Sequence, residues 1–339
     1  MLPFGYARAA SVDQALAAGA APDTAFLAGG TELLNWLRLG VAAPARLVDI
    51  TRLHQLARIE PLPRGGLRIG ALAVLADVAR HDAVITDYPV LHQAILKSAS
   101  PQLRNLATIG GNPLQETRCP YFRAVEPLPC NKRAPGSGCS ALRGLNDRHA
   151  IFGWTEDCVA TQPSDPAVAL AALDAVLVTA RPDGGRRIPA TELHPPPVRP
   201  WRHHVLEPGE LVTAIELPAA AVRSAYVKVR ERESYEFATV SAAVALELDG
   251  AVIRRARIAL GSVAHRPWRL TAAEQALVGI ATDHAGGLRR AVDQSFADAR
   301  PLAHNAHKIP LARNAALRAI EIAAATPPEA AARDAMRAP

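Results

Sequence analysis

Short apolar runs alternate with amphipathic segments along the first hundred residues. TAFLA (24–28) is an apolar run of strand length that stops at Gly29-Gly30. ELLNWLRLG then has helical spacing, and ARLVDI is apolar again. Residues 24–50 therefore read as strand, turn, helix, strand, with Thr31 placed to cap the helix. LRIGA (67–71) predicts another strand, VLADVARH a helix, and PVLHQAILKSA a helix opening at Pro89 and running into the loop NLATIGGNPLQ.

Periodicity then fades over 113–166, a stretch rich in Pro, Gly, Arg and Cys. A loop of that length inside a compact domain is usually functional or disordered. AVALAALDAVLVTARPDGGRRIPA predicts a helix and then a strand with a DGG turn; HPPPVRPWRHH is a surface loop and LVTAIELP a strand. A boundary is expected near 218–224. Beyond it, SAYVKVRER and VSAAVALELDGAVIRRARIALGSV read as antiparallel strands about the Asp-Gly turn at 249–250. Helices follow at 270–280, 286–297 and 310–325, before a tail, TPPEAAARDAMRAP, expected to fray. Strands and helices mix without strict βαβ alternation, so the class is α+β.

At 339 residues, with 49% hydrophobic and 21% charged positions, the chain suits a globular protein of two or three domains. The formal charge of +6 raises nucleic acid as a partner. The basic residues are scattered and lack interleaved aromatic platforms, so no nucleic acid is expected. No apolar run reaches the length of a membrane span. The first residues lack a basic then apolar leader, so this chain alone is expected in the cytoplasm, and export would need a signal-bearing partner.

Two glycine-rich loops carry candidate chemistry. In AGGTELL (28–34), between strand and helix, successive amides and a helix start suit a phosphate, although an ordinary tight turn reads the same way. In NLATIGGNPLQ (105–115), Thr108, Gly110, Gly111 and Asn112 offer a hydroxyl, close backbone approach and an amide. GSGCSA (136–141) fits a dinucleotide fingerprint in letters but follows no strand. Ser164 and Asp165 open a helix, as a plain cap or as a ligand contact. Lys228 lies in the strand AYVKVRER, where a surface charge is the commoner role.

The four cysteines, Cys119, Cys130, Cys139 and Cys158, all fall in the irregular segment with spacing C-x10-C-x8-C-x18-C. Structural zinc and ferredoxin-type sites use closer pairs. Disulfides need an oxidising compartment. Spacing alone leaves an iron–sulfur cluster, disulfides, zinc and free thiols open.

Taken in order, FLAGGTELL, LRIGAL, QLRNLATIGGN, PSDPAVALAALDAV, YVKVRERESYEFATVSAAVAL, IALGSVAHRPWR and AHKIPLARNAALRAI resemble the FAD-binding (medium) subunit of the xanthine oxidase, or molybdenum hydroxylase, family. The resemblance covers about residues 1–325. It implies a flavin-binding fold of the vanillyl-alcohol oxidase (PCMH) type in two subdomains over 1–222, and a C-terminal α+β domain of the CO dehydrogenase flavoprotein type over 223–330. The cysteine-bearing insert, about 113–166, resembles that of the FAD subunits of bacterial periplasmic aldehyde oxidoreductases. These carry a [4Fe-4S] cluster that most of the family lacks. The reductases for 4-hydroxybenzoyl-CoA also carry a cluster in this subunit.

The resemblance implies that Phe26, Leu27, Ala28, Gly29, Gly30, Thr31, Glu32, Leu33 and Leu34 hold the FAD pyrophosphate. Thr108, Gly111 and Asn112 would form a second wall, Asp165 would meet the adenosine side, and Lys228 would approach the flavin beside RESYEF. Cys119, Cys130, Cys139 and Cys158 would bind the [4Fe-4S] cluster. No catalytic residue is expected here. A large molybdenum-cofactor subunit would oxidise an aldehyde, and a small [2Fe-2S] subunit would relay electrons to FAD and on to an external acceptor. The heterotrimer would be periplasmic. Two other readings stand beside this one: the FAD subunit of a purine or N-heterocycle hydroxylase, and a non-redox nucleotide-binding module with a structural metal.

Overall fold

The structure is a computed structural model describing residues 1–219 and 223–326. The C-terminal stretch expected to fray lies outside the described residues, apart from its first threonine, and the expected boundary includes three further undescribed positions. Twelve strands are described: β1 (Gly5–Arg8), β2 (Thr24–Leu27), β3 (Arg46–Asp49), β4 (Ile59–Pro61), β5 (Leu67–Gly70), β6 (Val176–Ala180), β7 (Arg187–Pro189), β8 (Leu211–Leu217), β9 (Arg223–Val229), β10 (Val240–Asp249), β11 (Val252–Gly261) and β12 (Trp268–Arg269). They form three sheets. The first is parallel, in the order β1-β3-β2, while β4-β5-β8-β6-β7 and β12-β11-β10-β9 are antiparallel throughout.

Each sheet has its own apolar core. The small parallel sheet buries Val48, Ile50 and Leu53 with Ala15 and Leu16 of the helix Val12–Gly19. The five-stranded sheet packs Leu67, Ile69, Leu177 and Ile215 against helices Leu75–Arg80, Pro89–Leu96 and Asp165–Ala172. In the last sheet, Val244, Leu246, Ile258 and Leu260 pack on the helix Lys308–Ala325. Alternation along β10 and β11 sends one set of side chains to that helix. The other set, Ala243 and Ala259, joins the core of the five-stranded sheet, so β10 and β11 serve two cores.

The helix Asp165–Ala172 lies at this junction. It approaches β11 so closely at Gly261 that an added Cβ would stand 2.3 Å from Ser241 Oγ and 2.6 Å from Val168 Cγ2. The helix Pro89–Leu96 is tied to β9 by Val90 N–H donating to Ser224 Oγ (3.2 Å) and Tyr226 N–H donating to Gln93 Oε1 (2.8 Å). The expected Asp-Gly hairpin joins β10 to β11, with Gly250 in the left-handed region that an L-residue adopts at a steric cost. The mixture of helix and strand matches the expected α+β class. Among the described residues no helix is long and apolar enough to cross a membrane.

The irregular segment is irregular in fact, holding only two four-residue helices, Pro120–Arg123 and Ser140–Arg143, and one 3-10 turn. Its distal arm is clamped by the C-terminal part of the chain. Lys308 is fully buried and donates from Nζ to the carbonyls of Ser262 (2.6 Å), His149 (2.8 Å) and Arg148 (3.2 Å). Asn305 Nδ2 donates to the carbonyls of His149 and Ala150, and His304 N–H donates to Asn146 Oδ1. Burial pushes the Lys308 ammonium down to about 7. Three carbonyl acceptors nonetheless match its three N–H bonds when it is charged.

Lys308→Met is expected to lower the melting temperature by several degrees, because it leaves buried carbonyls unpaired at about 1–3 kcal/mol each. Thermal unfolding followed by circular dichroism measures this, and an unchanged midpoint would mean that water replaces the ammonium.

Candidate functional site

The two glycine-rich loops meet at Gly29. An added Cβ on Gly29 would stand 1.9 Å from the carbonyl oxygen of Leu106, so only glycine permits this approach. Gly30 has φ of +72°, which turns the chain toward the helix Leu33–Leu39. Among the described residues, the backbone N–H groups of Gly30, Thr31 and Glu32 have no protein acceptor. Phe26 through Leu33 are half-buried and Leu34 is exposed. On the second loop Thr108 is buried and accepts from Gly111 N–H (3.4 Å), Gly111 is exposed, and Asn112 is half-buried. Free amides where two glycine-rich loops meet suit the phosphates of a dinucleotide.

Thr31 does not cap the helix as expected. The cap position belongs to Glu32, which makes no capping hydrogen bond, because its carboxylate is drawn elsewhere. Glu32 Oε1 accepts from Arg118 Nη1 and Arg123 Nη2 (2.5 Å each), from Trp36 Nε1 (2.9 Å) and from Glu116 N–H (3.3 Å). The two arginines flank Cys119 in the chain, so Glu32 joins the first glycine loop to the cysteine segment. Arg118 also lies over the ring of Phe237, 4.4 Å from its centroid, bringing in the loop after β9.

Asn112 and Ser164 are brought together, Ser164 Oγ donating to Asn112 Oδ1 (2.5 Å) while accepting the capping bond from Ala167 N–H (3.0 Å). Ser164 is thus both a helix cap and a tie to the second loop. Asp165 and Lys228 are brought together as an interior ion pair, Nζ to Oδ2 2.8 Å, with side chains 4% and 1% exposed. Tyr226 donates its hydroxyl to Asp165 Oδ1 (2.5 Å), and Lys228 Nζ also donates to the carbonyl of Lys97 (2.9 Å). Burial pushes the Asp165 carboxyl up, while Lys228 and Tyr226 work against that shift. Burial beside Arg230 and Lys228 lowers the Lys97 ammonium, with Asp165 opposing.

All four cysteines line one hollow, with Tyr121, Phe122, Lys132 and Asp157 among its other walls. Cys130 faces Cys139 across an isolated antiparallel bridge. Burial raises the thiol of Cys119 to about 12 and that of Cys158 to about 11, with neighbouring cysteines adding to each shift. His149 Nε2 lies 3.2 Å from Cys119 Sγ. Among the described residues no three His, Cys, Asp or Glu side chains converge closely enough to hold a metal ion. The four cysteines gather around one hollow, and thiols are the donors that soft metal groups take.

A second hollow shares Lys132, Cys158 and Ala160 with the first and is lined by Glu116, His194, His203, His204 and His265. Glu116 is buried and pairs with His203 Nδ1 and with Lys132 Nζ (3.2 Å). Burial alone would raise its carboxyl; Lys132 and His203 outweigh that and hold it down to about 2. Sequence reasoning missed Lys97, Glu116 and this histidine group. Glu116 stood three residues before Cys119, a signal that was available, whereas Lys97 at a helix end carried none.

Residues 2–220 match the FAD binding domain in molybdopterin dehydrogenase, and residues 225–323 match the CO dehydrogenase flavoprotein C-terminal domain. The chain belongs to this FAD-binding family. It is an FAD-binding oxidoreductase subunit of the molybdenum hydroxylase type, as the residue pattern implied. It is 45% identical to the aldehyde oxidoreductase FAD-binding subunit PaoB of Escherichia coli (strain K12), covering 92% of this chain and 96% of that protein. Identity to the glyceraldehyde dehydrogenase medium chain of Sulfolobus acidocaldarius is 29%, over 81% of each. Among solved structures, the Cu,Mo-CO dehydrogenase in its cyanide-inactivated form superposes with a TM-score of 0.74 at 26% identity, covering 96% of this chain and 99% of that one.

Lys228→Met is expected to destabilise the chain by about 3–5 kcal/mol, since it strands a buried carboxylate. The double variant Asp165→Asn, Lys228→Met should recover part of this in urea unfolding. Equal losses in both would mean the pair contributes only packing. For Glu116, the folded value of about 2 lies below the ordinary 4.5. Its stabilisation is therefore complete above the unfolded value and is lost as pH falls from about 4.5 toward 2. Glu116→Gln should flatten the pH dependence of stability across that window, measured by denaturant midpoints at successive pH values.

Proposed function

We propose that this chain is the FAD- and [4Fe-4S]-holding electron-transfer subunit of a heterotrimeric molybdenum aldehyde oxidoreductase that converts aldehydes, aromatic ones foremost, to carboxylic acids. The observation that carries the reading is the 45% identity to an aldehyde oxidoreductase FAD-binding subunit over 96% of that protein. The four-cysteine hollow supports the cluster assignment. A small [2Fe-2S] subunit and a large molybdenum-cofactor subunit are the proposed partners, an external acceptor the outlet, and the periplasm the location, reached with a signal-bearing partner.

Gly29, Gly30, Thr31 and Glu32 would present amides to the FAD pyrophosphate, and Thr108, Gly111 and Asn112 would line the facing wall. Cys119, Cys130, Cys139 and Cys158 would hold the cluster. Bound FAD supplies two-electron storage with one-electron exchange, and a four-thiolate cluster supplies one-electron transfer. The protein's part is positional. Glu32 fixes the first glycine loop to Arg118 and Arg123 on either side of Cys119. Ser164 fixes Asn112 of the second loop to the helix at the junction of the two large sheets. Within the described residues Lys228 Nζ has two acceptors, Asp165 Oδ2 and the Lys97 carbonyl, which leaves one N–H of the ammonium for a bound FAD.

Co-expressed with its neighbouring subunits and purified, the complex is expected to contain flavin, about four irons and four sulfides on this chain, and to oxidise benzaldehyde in preference to hypoxanthine. Turnover of hypoxanthine alone would favour the purine hydroxylase reading. Flavin without iron on this chain would remove the cluster from it, and zinc without flavin would overturn the reading as a whole.

A further inference from the structure

We propose that Cys130 and Cys139 close into a reversible disulfide when the hollow holds no metal group, so that this bond governs whether the hollow can be loaded. Nothing about the spacing of the cysteines singles out this pair; the backbone does. Asn131 N–H donates to the carbonyl of Gly138 (2.8 Å) and Ser140 N–H donates to the carbonyl of Pro129 (2.9 Å). These two bonds enclose Cys130 and Cys139 as a non-hydrogen-bonded antiparallel pair. In such a pair the Cα atoms stand about 4.5 Å apart with side chains close together. That separation falls inside the roughly 4.4–6.8 Å range that disulfides span.

The intervening loop is already shaped for closure. Asn131 Oδ1 accepts from Gly136 N–H (3.1 Å) and Gly138 N–H (2.9 Å), and Ser137 Oγ accepts from Cys130 N–H (3.0 Å). Gly136 and Gly138 take positive φ, of +84° and +95°, to make the turn. Much of the ordering that a cross-link would impose is therefore present before the bond forms. Cys119 and Cys158 have no such facing partner. Cys119 precedes the short helix Pro120–Arg123, and Cys158 bridges to Thr155.

The reaction needs a named oxidant, and a small disulfide such as oxidised glutathione is sufficient. The Cys130 and Cys139 thiols give up two protons and two electrons as the Sγ–Sγ bond forms, and the S–S bond of glutathione breaks to give two thiols. The bond itself is independent of the proposed cluster. Its governing role rests on the cluster reading, because it takes two of four thiolates out of the ligand set.

The full-length chain, purified reduced, is equilibrated with oxidised glutathione, alkylated and digested with trypsin. The expected product is a single cross-link between peptides 124–132 and 134–143, with free thiols falling from four to two. Cross-links that include Cys119 or Cys158 as often as the facing pair would overturn the pairing, as would four alkylated thiols in the folded chain under conditions that oxidise the same chain in urea. Cys158→Ser should keep the cross-link and Cys139→Ser should lose it; the reverse pattern would also overturn it.

Loading is then tested with ferrous iron and sulfide. With two of four thiolates blocked, the oxidised chain is expected to take up at least about tenfold less iron than the reduced chain, until a dithiol reductant is added. Equal uptake by both would overturn the governing role. Absence of uptake by the reduced chain would overturn that role together with the cluster reading, while the mapped cross-link would stand on its own.

Discussion

The carboxylate of Glu32 is the joint on which the arrangement of the site depends. One oxygen receives two guanidinium groups, an indole N–H and a backbone amide, from residues up to 91 positions away in the chain. A carboxylate so placed is expensive to bury alone and is retained because its donors are charged and well directed. The geometric effect is larger than any single bond. The glycine loop, the arginines around Cys119 and the ring of Phe237 are held in one frame, so the proposed flavin cradle and the cysteine hollow cannot drift independently.

A second interior ionic group does the corresponding work between the sheets. Asp165 belongs to the helix packed on the five-stranded sheet, while Lys228 and Tyr226 belong to β9. An apolar contact at this junction would tolerate sliding by a fraction of a residue. An ion pair with a hydroxyl and a carbonyl in fixed places does not, since a small displacement leaves a charge without its partner. The close approach of Gly261 to Val168 and Ser241 sets the same register by steric contact. The two devices agree, which is what keeps Ser164, and through it Asn112, in place.

Much of the fold was legible in the sequence because its signals are local. The Asp-Gly hairpin of β10 and β11, the helix running to Ala325, and the strand-turn-helix around Gly29 each follow from periodicity or turn chemistry within a dozen residues. Thr31, the cap by local rules, yields that position to Glu32. That substitution is a tertiary effect: the pull comes from Arg118 and Arg123, which no local rule connects to residue 32. The site shows the same division. Glycine positions and cysteine clustering were visible, whereas the pairing of Asp165 with Lys228 and the burial of Glu116 and Lys97 exist only once distant elements are packed.

The clamp on the cysteine segment also has a temporal side. Lys308 holds the carbonyl of a residue 159 positions earlier in the chain. A ribosome making this protein therefore releases all four cysteines long before the residues that fasten their segment have been synthesised. For that interval the arm carrying His149 has no Lys308 or Asn305 to hold it. The position of one buried lysine thus ties the fastening of that arm to a part of the chain made well after the cysteines.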